Sequence, residues 1–402
     1  MTEPQRVALL CSGLDETLGG FESHMRSLFL LGRRDFPDLD IVMFTGRGPE
    51  TEGVVRAPTP SRSHPVARRL ARYRKDRLFW ESLFFALWFL VRAIFKQDRF
   101  DRIMTIEPTV RRVLFPFVRY LPGAPELVWT HGLNNEPSGY LHDADVVHEV
   151  NVENFERATS IENRSAQIAL IPHFVDDSQS PSLLKEEARN RLGIKTKYAL
   201  LGVGRIDATV KRSQHLVAEV AKLSDDWTLV LVGSVGEPRI VEDAVAALDH
   251  KFVHVQVDAQ DMPDVYVAAD VFAHAAINEG FGIVFLEAMH AGLPIVAHDR
   301  RSFDWILGES ARLVDMTISG TLANAVIQLE KEGNLASFKE VGSRRIATMF
   351  GWSALAGDYH KLLSGELVEH CAVATARRPS SLVALRSRRR RAHPSRRLDS
   401  RD

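Results

Sequence analysis

Short apolar runs alternate with longer stretches in which apolar residues recur every three or four positions, and this alternation continues along almost the whole chain. The runs RVALLCS, DIVMF, DRIMTI, ELVWTH and QIALIP are rich in β-branched residues and predict strands, whereas GFESHMRSLFLLG and the aromatic stretch from Leu78 to Phe95 predict helices. Strands separated by helices imply parallel sheets in an α/β fold. A second series begins after residue 180, with YALLGVG, a helix from about Lys211 to Leu223, TLVLVG, a helix from Pro238 to Leu248, FVHVQV, DVFAHA, a helix from Gly282 to Ala291, and PIVAHD. The pattern repeats as architecture and not as sequence.

Between the two series, IPHFVDDSQSPS reads as a linker because of Pro172, the acidic pair and its Pro/Ser content, with the boundary near residues 172 to 180. The chain's 402 residues, 45% of them hydrophobic, suffice for two cores, since single cores stop growing near about 250 to 300 residues. The predicted organisation is a first domain over 1–175, a second over 176–350, a helix over 351–366 that crosses back, and a tail over 367–402. From Arg377 onward ten arginines stand against two aspartates, so this tail cannot bury a core and is expected to be disordered.

Net charge is −1, which gives no overall pull toward nucleic acid, and no nucleic-acid partner is expected. The two cysteines, Cys11 and Cys371, are too few for a disulfide framework and suit a reducing compartment. The N-terminal apolar run is short and lacks a basic leader, so a cytoplasmic location is expected. One stretch bears on membranes. Leu78 to Phe95 is interrupted by Glu81 and Arg92, which argues against a span, but Arg62, Arg68, Arg69, Arg72, Arg74, Lys75 and Arg77 lie just upstream. Either this is an amphipathic element on an anionic membrane surface, or it is a core helix preceded by a solvated one.

The chemistry concentrates in NEGFGIVFLEAMHAGLPIVAHD, Asn278 to Asp299. Glu279 falls in a loop and Glu287 about a turn and a half into the following helix. Gly280 and Gly282 allow close backbone approach, and the free amides at the helix start, around Phe281, Gly282 and Ile283, can cradle phosphate. The helix dipole adds the equivalent of about half a charge. A second cluster follows the first strand of the second series. Gly204 and Arg205 leave the strand's C-terminal end and Lys211 opens the next helix, where two cations can neutralise a leaving diphosphate. An unpaired charge such as Arg205 at a strand end calls for a partner. A third is Gly19-Gly20, ending the loop after the first strand. No Gly-x-Gly-x-x-Gly fingerprint and no Gly-Lys-Ser/Thr loop occurs, so NAD and ATP chemistry lose support. Asp38-Leu39-Asp40 and Asp143-Ala144-Asp145 mimic a metal-binding triplet but read as decoys, and neither a metal nor another cofactor is expected.

Taken together, the Gly-Gly loop, His131-Gly132 after a strand, the IPxxVD linker at Ile171 to Asp176, Gly-Arg with a downstream Lys, the Glu279/Glu287 segment and the helix at Trp352 resemble the retaining glycosyltransferase family of the GT-B fold. That family includes bacterial mannosyl- and glucosyltransferases of cell-surface glycan synthesis. The resemblance implies two Rossmann-like domains facing across a cleft, the first for acceptor and the second for a nucleotide-sugar donor. It implies that Glu287 holds ribose, that Glu279 and the amides of Phe281 and Gly282 hold the donor sugar, that Arg205 and Lys211 stabilise the departing diphosphate, and that His131 lies near the reacting sugar. Two departures stand out: His173-Phe174 replaces the common Asn-Gly, and the gap from Arg205 to Lys211 is one residue longer than usual. The implied function is transfer of a hexose, with retention, to a surface glycan or lipid-linked saccharide, with UDP placed before GDP as carrier. The alternatives are an epimerase or phosphorylase of the same fold, or a non-catalytic partner in a glycan-synthesis complex.

Overall fold

The structure is a computed structural model that describes residues 4–14, 19–73, 76–132, 136–333 and 335–366. The Arg-rich tail, Cys371, Arg74 and Lys75 lie outside the described residues. In the first domain the chain runs β1 (Gln5–Cys11), α1 (Gly20–Asp35), β2 (Leu39–Thr45), β3 (Val54–Arg56), α2 (Pro65–Leu70), α3 (Arg77–Lys96), β4 (Arg102–Thr105), α4 (Pro108–Val118), β5 (Glu126–His131), β6 (Val146–Glu149), α5 (Val152–Thr159) and β7 (Gln167–Leu170). The second domain follows with α6 (Lys185–Leu192), β8 (Tyr198–Val203), α7 (Ser213–Val220), β9 (Trp227–Val232), α8 (Pro238–Leu248), β10 (Phe252–Val255), α9 (Met262–Ala268), β11 (Val271–His274), α10 (Ile283–His290), β12 (Ile295–His298), α11 (Arg301–Leu307), β13 (Ala311–Val314), α12 (Thr321–Glu332) and α13 (Ala336–Arg345). A last helix, α14 (Trp352–Ser364), closes the described chain.

Each domain carries one parallel sheet, of seven strands in the order β3-β2-β1-β4-β5-β6-β7 and of six in the order β10-β9-β8-β11-β12-β13. Parallel sheets are covered on both faces, which is why β9 is buried along its whole length. Successive residues of β1 point to opposite faces: Val7 and Leu9 join one core with α1 and α14, while Ala8 and Leu10 join another with α3 and α4. Burying a valine or leucine such as Val7, Leu9 or Leu10 contributes about 1.5–3 kcal/mol.

Strand order reverses between β1 and β4 in the first sheet and between β8 and β11 in the second. The crevice beyond the carboxyl ends of strands at such a reversal is where open α/β sheets bind ligands. Val175 forms a parallel bridge with Gly351, its N–H donating to Phe350 O and its carbonyl accepting from Trp352 N–H, both at 2.9 Å. The two inter-domain crossings therefore run side by side. Beyond them α14 packs back on the first domain, burying Leu355, Tyr359 and Leu362 against Val7 and Met25.

The strands β3, β6 and β13 are absent from the apolar runs read in the sequence, because each carries charged or polar residues: Arg56 in β3, His148 and Glu149 in β6, and Arg312 in β13. The helix expected from Lys211 begins only at Ser213, because Asp207 folds the preceding segment into a turn, its Oδ1 accepting the N–H groups of Thr209, Val210 and Lys211 at 2.7–3.1 Å.

Candidate functional site

The turn made by Asp207 lays the Lys211 side chain across Gly204, at which a Cβ would meet Lys211 Cε at 3.1 Å. The Lys211 ammonium there contacts Glu279 Oε2, which also lies 3.3 Å from Nε2 of His274, the last residue of β11. Burial alone would raise the Glu279 carboxyl, but the His274 hydrogen bond and the Lys211 charge outweigh it and hold it at about 2. Burial lowers His274 in turn. A lysine from the β8 side and a carboxylate from the β11 side thus meet at the strand-order reversal of the second sheet.

The N-termini of α1 and α10 face each other across the cleft, with a Cβ at Gly20 placed 3.7 Å from Ile283 Cδ1. Neither start, at Gly19 or Gly282, carries a side-chain cap. Gly282 sits at φ 84°, a conformation that favours glycine. Phe281 turns its ring into the core, in an edge contact with His173 at 5.1 Å, so only its backbone is available in the loop. The next contact is closer still: Asn151 Nδ2 donates to Gly280 O at 2.7 Å, and a Cβ at Gly280 would meet Gly132 O at 1.8 Å. Arg300 closes the same seam by bonding Glu153 through Nε and Nη2, and Arg301 pairs with Glu156.

His131 ends β5, fully buried, with Nδ1 2.8 Å from Glu149 Oε2. The other oxygen of Glu149 accepts from the Tyr140 hydroxyl at 2.8 Å. Glu287 lies apart from these groups, accepting from Tyr266 O–H at 2.5 Å, with its carboxyl raised by burial. Arg205 is exposed, and its guanidinium crosses Gly236, where a Cβ would meet Nε at 2.4 Å. The partner expected for Arg205 is not found among the described residues, since water solvates an exposed guanidinium without one. The structure thus joins Lys211, Gly204 and Glu279 directly and sets Gly20 against Ile283 and Gly132 against Gly280, while Arg205 lines one small cavity with Gly204, Lys211 and His274 and the Glu287 carboxylate pairs with Tyr266 instead.

Several groups at these sites carry no signal in the sequence. His274, Asp207, Tyr140 and Glu149 look like ordinary polar positions at the ends of runs. At the reversal of the first sheet, buried Glu107 accepts from the Ser12 N–H at 2.5 Å and its hydroxyl at 2.7 Å, and burial raises its carboxyl. The carboxylates of both Asp-x-Asp triplets are already engaged: Asp38 with His360, Asp40 with Arg6, Asp143 with Arg111 and Asp145 with the Leu127 N–H. An open depression of about 550 Å³ lies elsewhere, lined by Asp35, Trp352 and His360, none of which belongs to the clusters above.

Residues 197–332 match the family model for Glycosyl transferases group 1. The chain is 29% identical over 217 residues to a phosphatidyl-myo-inositol mannosyltransferase of Mycobacterium leprae, a match covering 52% of this chain and 57% of that one. It is 28% identical over 222 residues to a D-inositol 3-phosphate glycosyltransferase of Xylanimonas cellulosilytica, covering 52% and 50%. The chain thus spans about half the length of these curated relatives. Among solved structures it resembles the sucrose-phosphate synthase of Thermosynechococcus elongatus, with a TM-score of 0.72 at 21% identity over 90% of this chain and 98% of that one. It also resembles Anabaena HepE, solved with UDP and glucose, with a TM-score of 0.67 at 17% identity over 90% and 99%.

Proposed function

We propose that this chain, which has the two-domain fold of GT-B glycosyltransferases and a group 1 glycosyl transferase match across its second domain, transfers a hexose from a nucleotide diphosphate sugar to a saccharide or lipid-linked acceptor. Transfer proceeds with retention and without a metal, with UDP before GDP as carrier. The observation that carries this reading is the Lys211–Glu279 contact at the strand-order reversal, in the domain whose α10 start faces that of α1. An incoming diphosphate is an anion that Lys211 can accept in exchange for Glu279, while the open amides at Gly282 and Ile283 receive the remaining phosphate oxygens. Glu279, held ionised well below neutral pH, is then free to accept hydrogen bonds from sugar hydroxyls. In this reading the acceptor attacks from the face the diphosphate leaves, and a phosphate oxygen takes its proton.

The acceptor side points to a membrane surface. The inner face of α3 is buried through Glu81, Phe85, Phe89 and Ala93, with Glu81 paired to Arg62, whereas Leu87, Val91, Ile94 and Phe95 are exposed on the outer face. Phe117 and Tyr120, at the end of the neighbouring α4, are exposed as well, and Arg112, Arg119 and Lys96 stand among them. An apolar face with a basic rim fits an anionic lipid surface. By its name the Mycobacterium leprae relative acts on phosphatidyl-myo-inositol, which supports a lipid-linked acceptor here.

The reading is tested by nucleoside diphosphate release from UDP-, GDP-, ADP- and dTDP-sugars with EDTA present, comparing the full chain with Glu279→Ala. Slow, EDTA-insensitive hydrolysis of one donor is expected, reduced about 100-fold or more in the variant. If no donor is hydrolysed and none raises the unfolding temperature, the catalytic reading fails.

A further inference from the structure

In the first sheet β5 and β6 lie side by side in parallel register, with Thr130 opposite His148 and His131 opposite Glu149. Neighbouring residues of a strand face opposite sides of the sheet, so the two pairs form two separate polar contacts within one buried strand pair. On one side the Thr130 hydroxyl is 3.0 Å from His148 Nδ1, and His148 Nε2 is 2.7 Å from Ile171 O. Both ring nitrogens of His148 are satisfied in the neutral ring, as a purely structural histidine requires.

The His131 pair is built differently. Glu149 Oε2 meets His131 Nδ1 at 2.8 Å and Oε1 accepts from Tyr140 O–H at 2.8 Å, with both side chains of the pair wholly buried. Tyr140 stays a donor, because burial and then the Glu149 charge push its ionisation far above the usual range. Aromatic faces fix the rings: Tyr140 lies 4.2 Å and Trp129 4.8 Å from the His131 ring, and the Arg111 guanidinium caps Trp129 at 3.9 Å. Nε2 of His131 is buried and has no partner among the described residues. His131 also stands one residue from Gly132, whose carbonyl is pressed against Gly280 of the donor-side loop.

We propose that Glu149 and Tyr140 are positioning residues for His131, the carboxylate fixing the proton on Nδ1 so that the buried Nε2 is left as a bare acceptor for a substrate hydroxyl. An ionised carboxylate cannot donate, so the proton in the 2.8 Å contact belongs to Nδ1. The Tyr140 hydroxyl holds the second carboxylate oxygen and so sets the carboxyl plane, the way outer hydrogen bonds orient the ligands of a metal. The inference rests on reading the cleft as a sugar-transfer site.

The test uses the full chain with ¹⁵N-labelled histidine, reading the His131 tautomer by long-range ¹H–¹⁵N correlation, alongside kcat and KM for donor hydrolysis. The wild type is expected to show Nδ1–H at neutral pH, and an Nε2–H proton there, as the other tautomer or as imidazolium, overturns the proposal. Glu149→Met removes the acceptor while filling its space. It is expected to move the proton to Nε2 and to lower kcat by about 10- to 100-fold with KM for the donor unchanged. Glu149→Gln restores an acceptor oxygen, and both the Nδ1–H tautomer and most of kcat are expected to return. A Gln variant with the tautomer restored and kcat still low overturns positioning in favour of charge, and an unchanged kcat in Glu149→Met overturns any role. Should Glu149→Met fail to fold, the Gln variant and the wild-type tautomer still decide the matter. A wild type that neither hydrolyses nor binds any sugar nucleotide sinks the transferase reading alone, since the tautomer is read without turnover.

Discussion

Gly280 and Gly233 are both glycines that a side chain would damage, for different reasons. At Gly233, φ is 141° and a Cβ would meet Gly204 O at 2.2 Å within the second domain, so alanine there strains the fold itself. At Gly280 the obstruction is Gly132 O of the opposite domain, at 1.8 Å. Gly280→Ala is therefore expected to leave each domain folded, to weaken donor hydrolysis strongly, and to enlarge the radius of gyration measured by small-angle scattering. An unchanged radius with unchanged activity would show that the cleft closes without this contact. The sequence marks Gly280 and Gly282 as places of close backbone approach, and the structure spends Gly280 on the other domain's backbone. Lys211 and Glu279 stand out in the sequence because each is a charged residue in the segment between a strand run and the helix that follows it. Glu149 does not, since its meaning depends on β6 lying beside β5 in one register, which no local pattern records.

At the scale of elements, α3 is a core helix on one face and leaves the membrane-surface reading of the other face to experiment. Its start is set by Asp76, whose carboxylate accepts from the Leu78 and Phe79 N–H groups at 3.0 and 3.3 Å, and its end by Gln97 in the left-handed region. One face belongs to the core and the other is apolar and exposed, a split that the twenty-residue run conceals because it is hydrophobic nearly all round. Glu81, which in the sequence interrupts an apolar segment, is an inward group paired with Arg62. If the outer face meets anionic lipid, the protein should co-sediment with vesicles containing phosphatidylglycerol and much less with phosphatidylcholine alone. Val91→Glu with Phe95→Glu should abolish that binding without lowering the unfolding temperature, because both side chains are already exposed. Equal binding by wild type and variant, or no binding to either vesicle, removes the membrane from the reading. The same scale explains the missed strands: β3, β6 and β13 carry Arg56, His148 with Glu149, and Arg312, which break the apolar run that marks other strands of equal length, and only neighbouring strands make them part of a sheet.

Across the whole molecule, the two domains and α14 meet at a cluster of neutral histidines. His24 of α1, His148 of β6 and His173 of the linker are buried, and the Tyr359 hydroxyl of α14 lies 3.3 Å from His24 Nε2 while donating to Pro172 O at 3.0 Å. The rings of His24 and His173 are 4.1 Å apart. Burial lowers His24 to about 3 and His148 to about 4, with mutual repulsion adding to the effect at His24, and drives His173 well below its ordinary value. A histidine whose folded value is depressed costs nothing above its unfolded value, and below it the unfolded chain binds a proton that the folded chain refuses. Stability therefore falls as pH drops below about 6.5, by about 1.4 kcal/mol per pH unit for each such histidine. The carboxylates Glu279 and Asp35, each held at about 2, act in a separate and lower window, since their contribution is lost only as pH falls below the ordinary carboxylate range. Thermal unfolding at about pH 7 and about pH 5.5 should show a loss of several degrees in the wild type, where two or more histidines titrate together. His173→Asn, which removes one titrating ring from the linker, should lose less over the same interval. If wild type and variant lose stability equally, that ring is not a source of the acid sensitivity.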